Sequence, residues 1–436
     1  MTFGPETPIT NETLKETVYR RVHSSGLPVY FCAKPGFQKR YACFATHFGS
    51  IDSKFSRGGK PAIEVPDGVA HFLEHKLFEG EAGNAMEEFS KRGAASNAYT
   101  SFNTTNYLFS CADGFYDHLE RLIRFVQEPF FTEENVEKEK GIIGQEIKMY
   151  EDSAGWKVYF NLLESLYQNH PVQKDIAGTV ESISGISPEL LYTCYETFYH
   201  PENMILFAIG DEDRETYFSH VDRVLSERTW EPLGTLERIF PDEPSAVASR
   251  RAEERMVVSM PRILVGFKDV HPGISPEALL TRELSADILL ELTFGQATDF
   301  YQRLYEQQLI DDGFHGSHSA LADIGHSMIG GDTPEPERLE AEILKEIERI
   351  RRDGVSAEGF ERQKRAIMGG FFRYFNSLEF TANHYCGYQF LGIDLLGIID
   401  RLHSLKLSDL NDLCAEHLDP ERVSTSLILP KVGALA

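Results

Sequence analysis

The residue types that could do chemistry gather at Gly68-Val69-Ala70-His71-Phe72-Leu73-Glu74-His75, where two histidines bracket a glutamate. With Asp67 as cap of a helix running to about Gly80, His71, Glu74 and His75 stand at i, i+3 and i+4 and project from one face. Phe72, Leu73 and Leu77 are then left to face a core. Two neutral imidazoles one helical turn apart can both reach a tetrahedral zinc, and a carboxylate between them is placed to take a proton from zinc-bound water.

The pattern is H-x-x-E-H, an inverted zinc-site motif. The bland alternative is a helix whose His and Glu face water. Two imidazoles leave such an ion short of a third protein ligand, and a long helix capped by Thr132 offers one. It carries Val136, Glu139, Ile142, Ile143, Glu146, Ile147 and Tyr150. Glu139 and Glu146 are seven apart and share a stripe with Ile142 and Ile143. A carboxylate on an apolar stripe is costly unless it is paired or bound to a cation, so Glu146 or Glu139 is the candidate third ligand.

Around these helices the chain alternates strand and helix. Strands are predicted at residues 17–22 and 27–33 about the Ser24-Ser25-Gly26 turn, and at 41–48 after Pro35-Gly36. A helix over 83–91 leads to a small-residue extended segment at 94–100, then to a strand at 106–111 and an amphipathic helix at 116–127. The extended segment, with Ala95, Ser96, Asn97, Ala98 and Tyr99, is a candidate edge strand on which a peptide pairs through its backbone.

Residues 226–250 are polar and punctuated by Pro232, Gly234, Pro241 and Pro244, which reads as a linker between a first half, 1–225, and a second, 251–436. The second half echoes the first. His200-Pro201-Glu202-Asn203-Met204 returns as Asp419-Pro420-Glu421-Arg422-Val423, and the segment opening at Phe131 returns at Val355. His71-Phe72-Leu73-Glu74-His75 falls on Ile288-Leu289-Leu290-Glu291-Leu292. Under the same alignment Glu139 becomes Gln363 and Glu146 becomes Gly370. The helix pattern persists while the metal donors vanish, giving one catalytic half and one scaffold half.

A chain of 436 residues with 42% hydrophobic and 25% charged residues has the composition of a soluble multidomain protein. Its formal charge of -25 and pI near 5.0 argue against nucleic acid or an anionic membrane as partner. No segment has the apolar length of a membrane span, and Met1 to Lys15 is polar, without the pattern of a secretion signal or transit peptide. Six dispersed cysteines without a C-x-x-C pair indicate neither structural zinc nor a redox dithiol, and fit a reducing cytoplasm. Other candidates are weaker. His315 and His318 lie three apart on a predicted strand and face opposite ways, Gly58-Gly59-Lys60 lacks the spacing of a phosphate loop, and Gly330-Gly331 reads as a turn.

With H-x-x-E-H, the downstream Glu-x6-Glu helix and a degenerate second half, the chain resembles the pitrilysin or insulinase family of zinc peptidases, nearest to small bacterial members like mitochondrial processing peptidase. Gly-Val-Ala-His-Phe-Leu-Glu-His at 68–75, Asn-Ala-Tyr-Thr-Ser at 97–101, Gly-Gln-Glu-Ile-Lys-Met-Tyr-Glu-Asp at 144–152 and Tyr-His-Pro-Glu-Asn-Met at 199–204 carry the likeness. The resemblance implies an α+β fold of two duplicated halves, each an antiparallel sheet covered by helices, with chains pairing into a clamshell around a peptide chamber. It implies one zinc per chain held by His71, His75 and Glu146, with Glu74 as general base on zinc-bound water and Glu139 steadying the site. Family members that complete the site from the second half carry there an Arg and a Tyr that hold the substrate carbonyl. Residues 304–314 contain no Arg, and Phe314 stands where the Tyr is expected. A homodimer would lack that pair, whereas a heterodimer with a homologous subunit lacking the zinc motif would gain it. The activity so implied is that of a zinc metalloendopeptidase acting on short or unfolded peptides. The competing readings are a peptide-binding or assembly subunit without catalysis of its own, and a leader-peptide processing protease.

Overall fold

The structure, a computed structural model, describes residues 2–81, 83–271 and 274–431. A seven-stranded sheet runs in the order Thr7–Asn11, Glu16–Val22, Pro28–Ala33, Met204–Gly210, Arg40–Thr46, Thr105–Cys111, Ala95–Thr100. A five-stranded sheet runs Arg251–Met256, Val423–Pro430, Arg262–Lys268, Gly325–Asp332, His315–Ala320. The last five strands of the first sheet and all five of the second share one pattern, a parallel pair followed by three antiparallel pairings. That shared topology is the sequence echo in three dimensions. The parallel pair in each sheet departs from the purely antiparallel expectation, because its second strand arrives after the long helical crossover that follows the edge hairpin.

The central strand of the first sheet, Met204–Gly210, is apolar along its whole length and buried at every position. Both faces are covered, so alternation gives way to an unbroken apolar run. On one face of the first sheet Phe31, Ala42, Phe44, Phe109 and Leu206 meet Phe72, Leu73 and Leu77 of the helix Val69–Leu77. On its other face Tyr41, Cys43, Ile205 and Phe207 meet Leu378, Ala382, Tyr385 and Cys386 from the helix Leu378–Phe390 of the second half. The first half reciprocates: the helix Ala154–Leu166 lies across the second sheet, with Val158 against Met256 and Ile428. Each half thus completes its neighbour's core.

The joining segment is tied down at two points. Leu236–Arg238 pairs with Lys54–Arg57, and Arg238 Nε donates to Asp52 at 2.7 Å. The Glu243 carboxylate accepts the backbone N–H groups of Gln168, Asn169 and His170 at 2.8–2.9 Å and pairs with the buried ammonium of Lys268.

Three local expectations are corrected. Asp67 does not cap the helix of the motif, and the helix stops at Leu77 rather than near Gly80. Gly68 opens it at φ 90°, and a Cβ there would lie 2.4 Å from the Ala177 carbonyl oxygen, so a loop pressed against the helix start dictates the entry geometry. At the far end, Glu79–Gly80 leaves the helix to pair with Gly83–Asn84. Gly330-Gly331 is not a turn but part of the strand Gly325–Asp332; a Cβ on Gly330 would come 2.0 Å from the Ile263 carbonyl oxygen, and the glycine permits that close approach.

Candidate metal centre

Two helices build the centre. Val69–Leu77 presents His71, Glu74 and His75 on the face away from Phe72 and Leu73. Glu133–Glu151 crosses it and presents Glu139 and Glu146. The second helix starts as the sequence predicts: Thr132 Oγ1 accepts the Asn135 N–H at 3.2 Å and Asn135 Oδ1 accepts the Thr132 N–H at 2.9 Å.

His71 Nε2 lies 3.7 Å from Glu146 Oε1, and His75 Nε2 lies 3.4 Å from Glu146 Oε2. One ligand atom from each of His71, His75 and Glu146 lies within 4.8 Å of the other two, and this is the one such group among the described residues. Two atoms each about 2.1 Å from a common tetrahedral centre sit about 3.4 Å apart, so the spacing suits a zinc ion between them. His75 Nδ1 is 3.1 Å from Glu139 Oε1. Assigning the ring proton to that nitrogen leaves the Nε2 lone pair facing the Glu146 carboxylate, an arrangement that calls for a cation in the gap. Two imidazoles and a carboxylate are a zinc donor set. The residues therefore fit the metal that the motif implies.

Charge around the centre follows from burial and neighbours. Burial, reinforced by the adjacent His75, lowers His71 to about 4, so its ring is neutral and free to donate a lone pair. For His75 burial pulls downward, but the Glu139 hydrogen bond and the charges of Glu74, Glu146 and Glu139 together raise it. Burial lifts Glu139 too, yet its bond to His75 and the charge of Lys76 outweigh that and leave it below the ordinary carboxylate value. Glu74 is raised by burial, partly offset by Thr100, whose Oγ1 donates to Glu74 Oε2 at 2.7 Å.

The centre opens into a cavity of about 760 Å³. Among the described residues six glutamates and a single lysine line it, a field that favours cations. Asn97, Ala98 and Tyr99 of the strand Ala95–Thr100 form one wall; Ala95 and Ser96 belong to the same strand but lie outside the lining. The strand is an edge, hydrogen-bonded on one side to Thr105–Cys111. Opposite, Tyr150 and Trp156 stack at 4.4 Å with a 13° interplanar angle. Tyr150 Oη donates to Glu146 Oε1 at 2.7 Å. Thr100, Lys76 and Trp156 also belong to the site; no motif in the sequence marks them, and only Trp156, one of two tryptophans, stands out by composition.

The remaining candidates stay apart from the centre. His315 Nδ1 contacts the Gly313 carbonyl, whereas His318 Nδ1 meets Ser327 Oγ at 2.9 Å on the other side of the strand. Phe314 is buried against Phe294 and Phe300 and cannot reach a substrate. In the second half Ile288 occupies the core and Gly370 leaves nothing to coordinate.

A duplicated α+β fold with an H-x-x-E-H helix set against a carboxylate helix defines the fold class of the inverted-motif metallopeptidases. Comparison with known proteins narrows it. Residues 62–180 match the family described as insulinase, peptidase family M16, and residues 185–367 match the peptidase M16 inactive domain. The chain is 44% identical to "Uncharacterized zinc protease YmfH" of Bacillus subtilis (strain 168), over 97% of this chain and 99% of that relative. A crystal structure of an M16-like peptidase from Alicyclobacillus acidocaldarius superposes with a TM-score of 0.91 at 34% identity, covering 99% of both chains. Pitrilysin shares the fold at a TM-score of 0.74 and 16% identity, 98% of this chain matching 46% of that one. The chain belongs to the insulinase, or M16, family of peptidases.

Proposed function

We propose that this chain is a zinc metalloendopeptidase that hydrolyses short or unfolded peptides. The observation that carries the reading is the meeting of His71 Nε2, His75 Nε2 and the Glu146 carboxylate at 3.4–3.7 Å, with Glu74 on the same helix face. A zinc ion held by those three side chains supplies Lewis acidity, lowering the pKa of water and polarising a peptide carbonyl. The protein's own groups do the rest. Glu74, with Oε2 fixed by Thr100, takes the proton of the attacking water on its carboxylate and returns it to the departing amine. Burial makes that carboxylate a stronger base than an exposed one. Glu139 fixes the His75 ring, and Tyr150 fixes Glu146. The strand Ala95–Thr100 holds the peptide through backbone hydrogen bonds, which gives affinity with little demand on side chains.

The segment 304–314 holds no Arg, and Phe314, where the family's Tyr is expected, is buried. That supports a heterodimer with a homologous subunit lacking the zinc motif over a homodimer. We assign the enzyme to the cytoplasm on its dispersed cysteines.

The test is metal content together with cleavage of a quenched peptide, alone and with a homologous subunit. Stoichiometric zinc with cleavage is expected, and Glu74→Gln is expected to keep the zinc and lose at least about 100-fold in kcat. Zinc binding without turnover in either assembly would make the chain a peptide-binding subunit instead.

A further inference from the structure

Lys76 follows the second histidine of the motif and is 0% exposed. On a nine-residue helix whose inward positions are Phe72, Leu73 and Leu77, an apolar side chain would pack there at no electrostatic cost. A buried ammonium is costly unless ion pairs compensate it. Lys76 has two. Its Nζ pairs with Glu79 and lies 3.6 Å from Glu139 Oε2, while the other oxygen of Glu139 faces His75 Nδ1 at 3.1 Å.

One carboxylate is therefore held at both ends, by an ammonium and by an imidazole N–H. With Oε2 anchored, Glu139 cannot swing about its terminal bond, and the His75 ring it grips is fixed with Nε2 aimed at Glu146. Glu79, in the two-residue strand that leaves the helix, also pairs with Lys138 at 3.6 Å, which ties the cavity wall to the same chain of charges.

We propose that Lys76 is a positioning residue of the metal centre: it anchors Glu139, which orients His75. This rests on the reading of His71, His75 and Glu146 as zinc donors. Without the ammonium, Glu139 keeps one buried oxygen unpaired and rotates toward solvent, and the His75 ring follows it out of register.

The experiment measures zinc affinity by chelator competition and the visible spectrum of the cobalt-substituted protein, for the wild-type chain, Lys76→Met, Glu139→Gln and the double variant. Lys76→Met is expected to weaken zinc binding about tenfold and to shift the cobalt bands. In the Glu139→Gln background the same change is expected to cost less than about twofold, because the residue through which Lys76 acts is already disabled. Wild-type affinity and spectrum in Lys76→Met, or an undiminished loss in the double variant, overturns the proposal. Should Lys76→Met not fold, Lys76→Gln is read against the same criteria. A wild-type chain that binds no zinc sinks the metal reading itself, a result distinct from either of these.

Discussion

Glu146 faces both imidazoles and is itself gripped by the Tyr150 phenol. Removing that hydroxyl leaves the carboxylate free to rotate, while the ring stack on Trp156 survives. Tyr150→Phe is expected to lose about tenfold in zinc affinity. Its unfolding free energy should stay within about 0.5 kcal/mol of wild type. Chelator competition and chemical denaturation check the two halves of that statement. At this scale the sequence was legible where the candidate site residues are local. His71, Glu74 and His75 are fixed by helical spacing alone, and Glu146 and Glu139 stand out as charges on an apolar stripe. Lys76 and Thr100 were not legible, because the partners that tie them to the site, Glu139 and Glu74, come from other segments of the chain. A lysine beside Glu79 reads as an ordinary surface pair until Glu139, from a helix more than sixty residues later, closes over it.

At the level of elements, the entry to the helix of the motif is set by a backbone clash rather than by a cap. Gly68→Ala combines a left-handed φ with a contact at 2.4 Å to a carbonyl oxygen, and should cost about 3 kcal/mol of stability. Thr132→Ala removes one cap from the carboxylate helix and should cost about 1 kcal/mol. Thermal melts rank the two, and equal losses would contradict the account of Gly68. Asp67 looked like the cap because a carboxylate before an apolar run is the usual signal. The signal misled because the competing constraint came from residue 177, which no local window contains. The small residues at 94–100 announced an extended edge, and the structure bears this out with a strand paired on one side.

Across the whole molecule, acid sensitivity follows from buried neutral histidines in the second half. His326 and His417 are 1% exposed, and burial holds them near 3 and 4 respectively. The unfolded chain takes up protons on both below about pH 6.5 while the native chain does not. Their contribution is complete above 6.5 and is lost as pH falls toward 4, by up to about 1.4 kcal/mol per pH unit for each. Asp52, raised to about 6 by burial against the pull of Arg238, works in the opposite sense in the same window and offsets part of the loss. Melting temperature should fall from pH 7 to pH 5, with a shallower slope in His417→Gln; an unchanged slope would remove His417 from the explanation. The duplication was legible from the echoed segments. The exchange of helices between halves was not, since Leu378–Phe390 and Ala154–Leu166 are apolar without saying whose sheet they cover.

That exchange limits what can move. The helix Leu378–Phe390 packed under one sheet and Ala154–Leu166 packed under the other tie the two halves of a single chain to each other. In the proposed two-subunit peptidase, breathing would then fall where one polypeptide abuts another, and turnover would be paced by how readily the two subunits part.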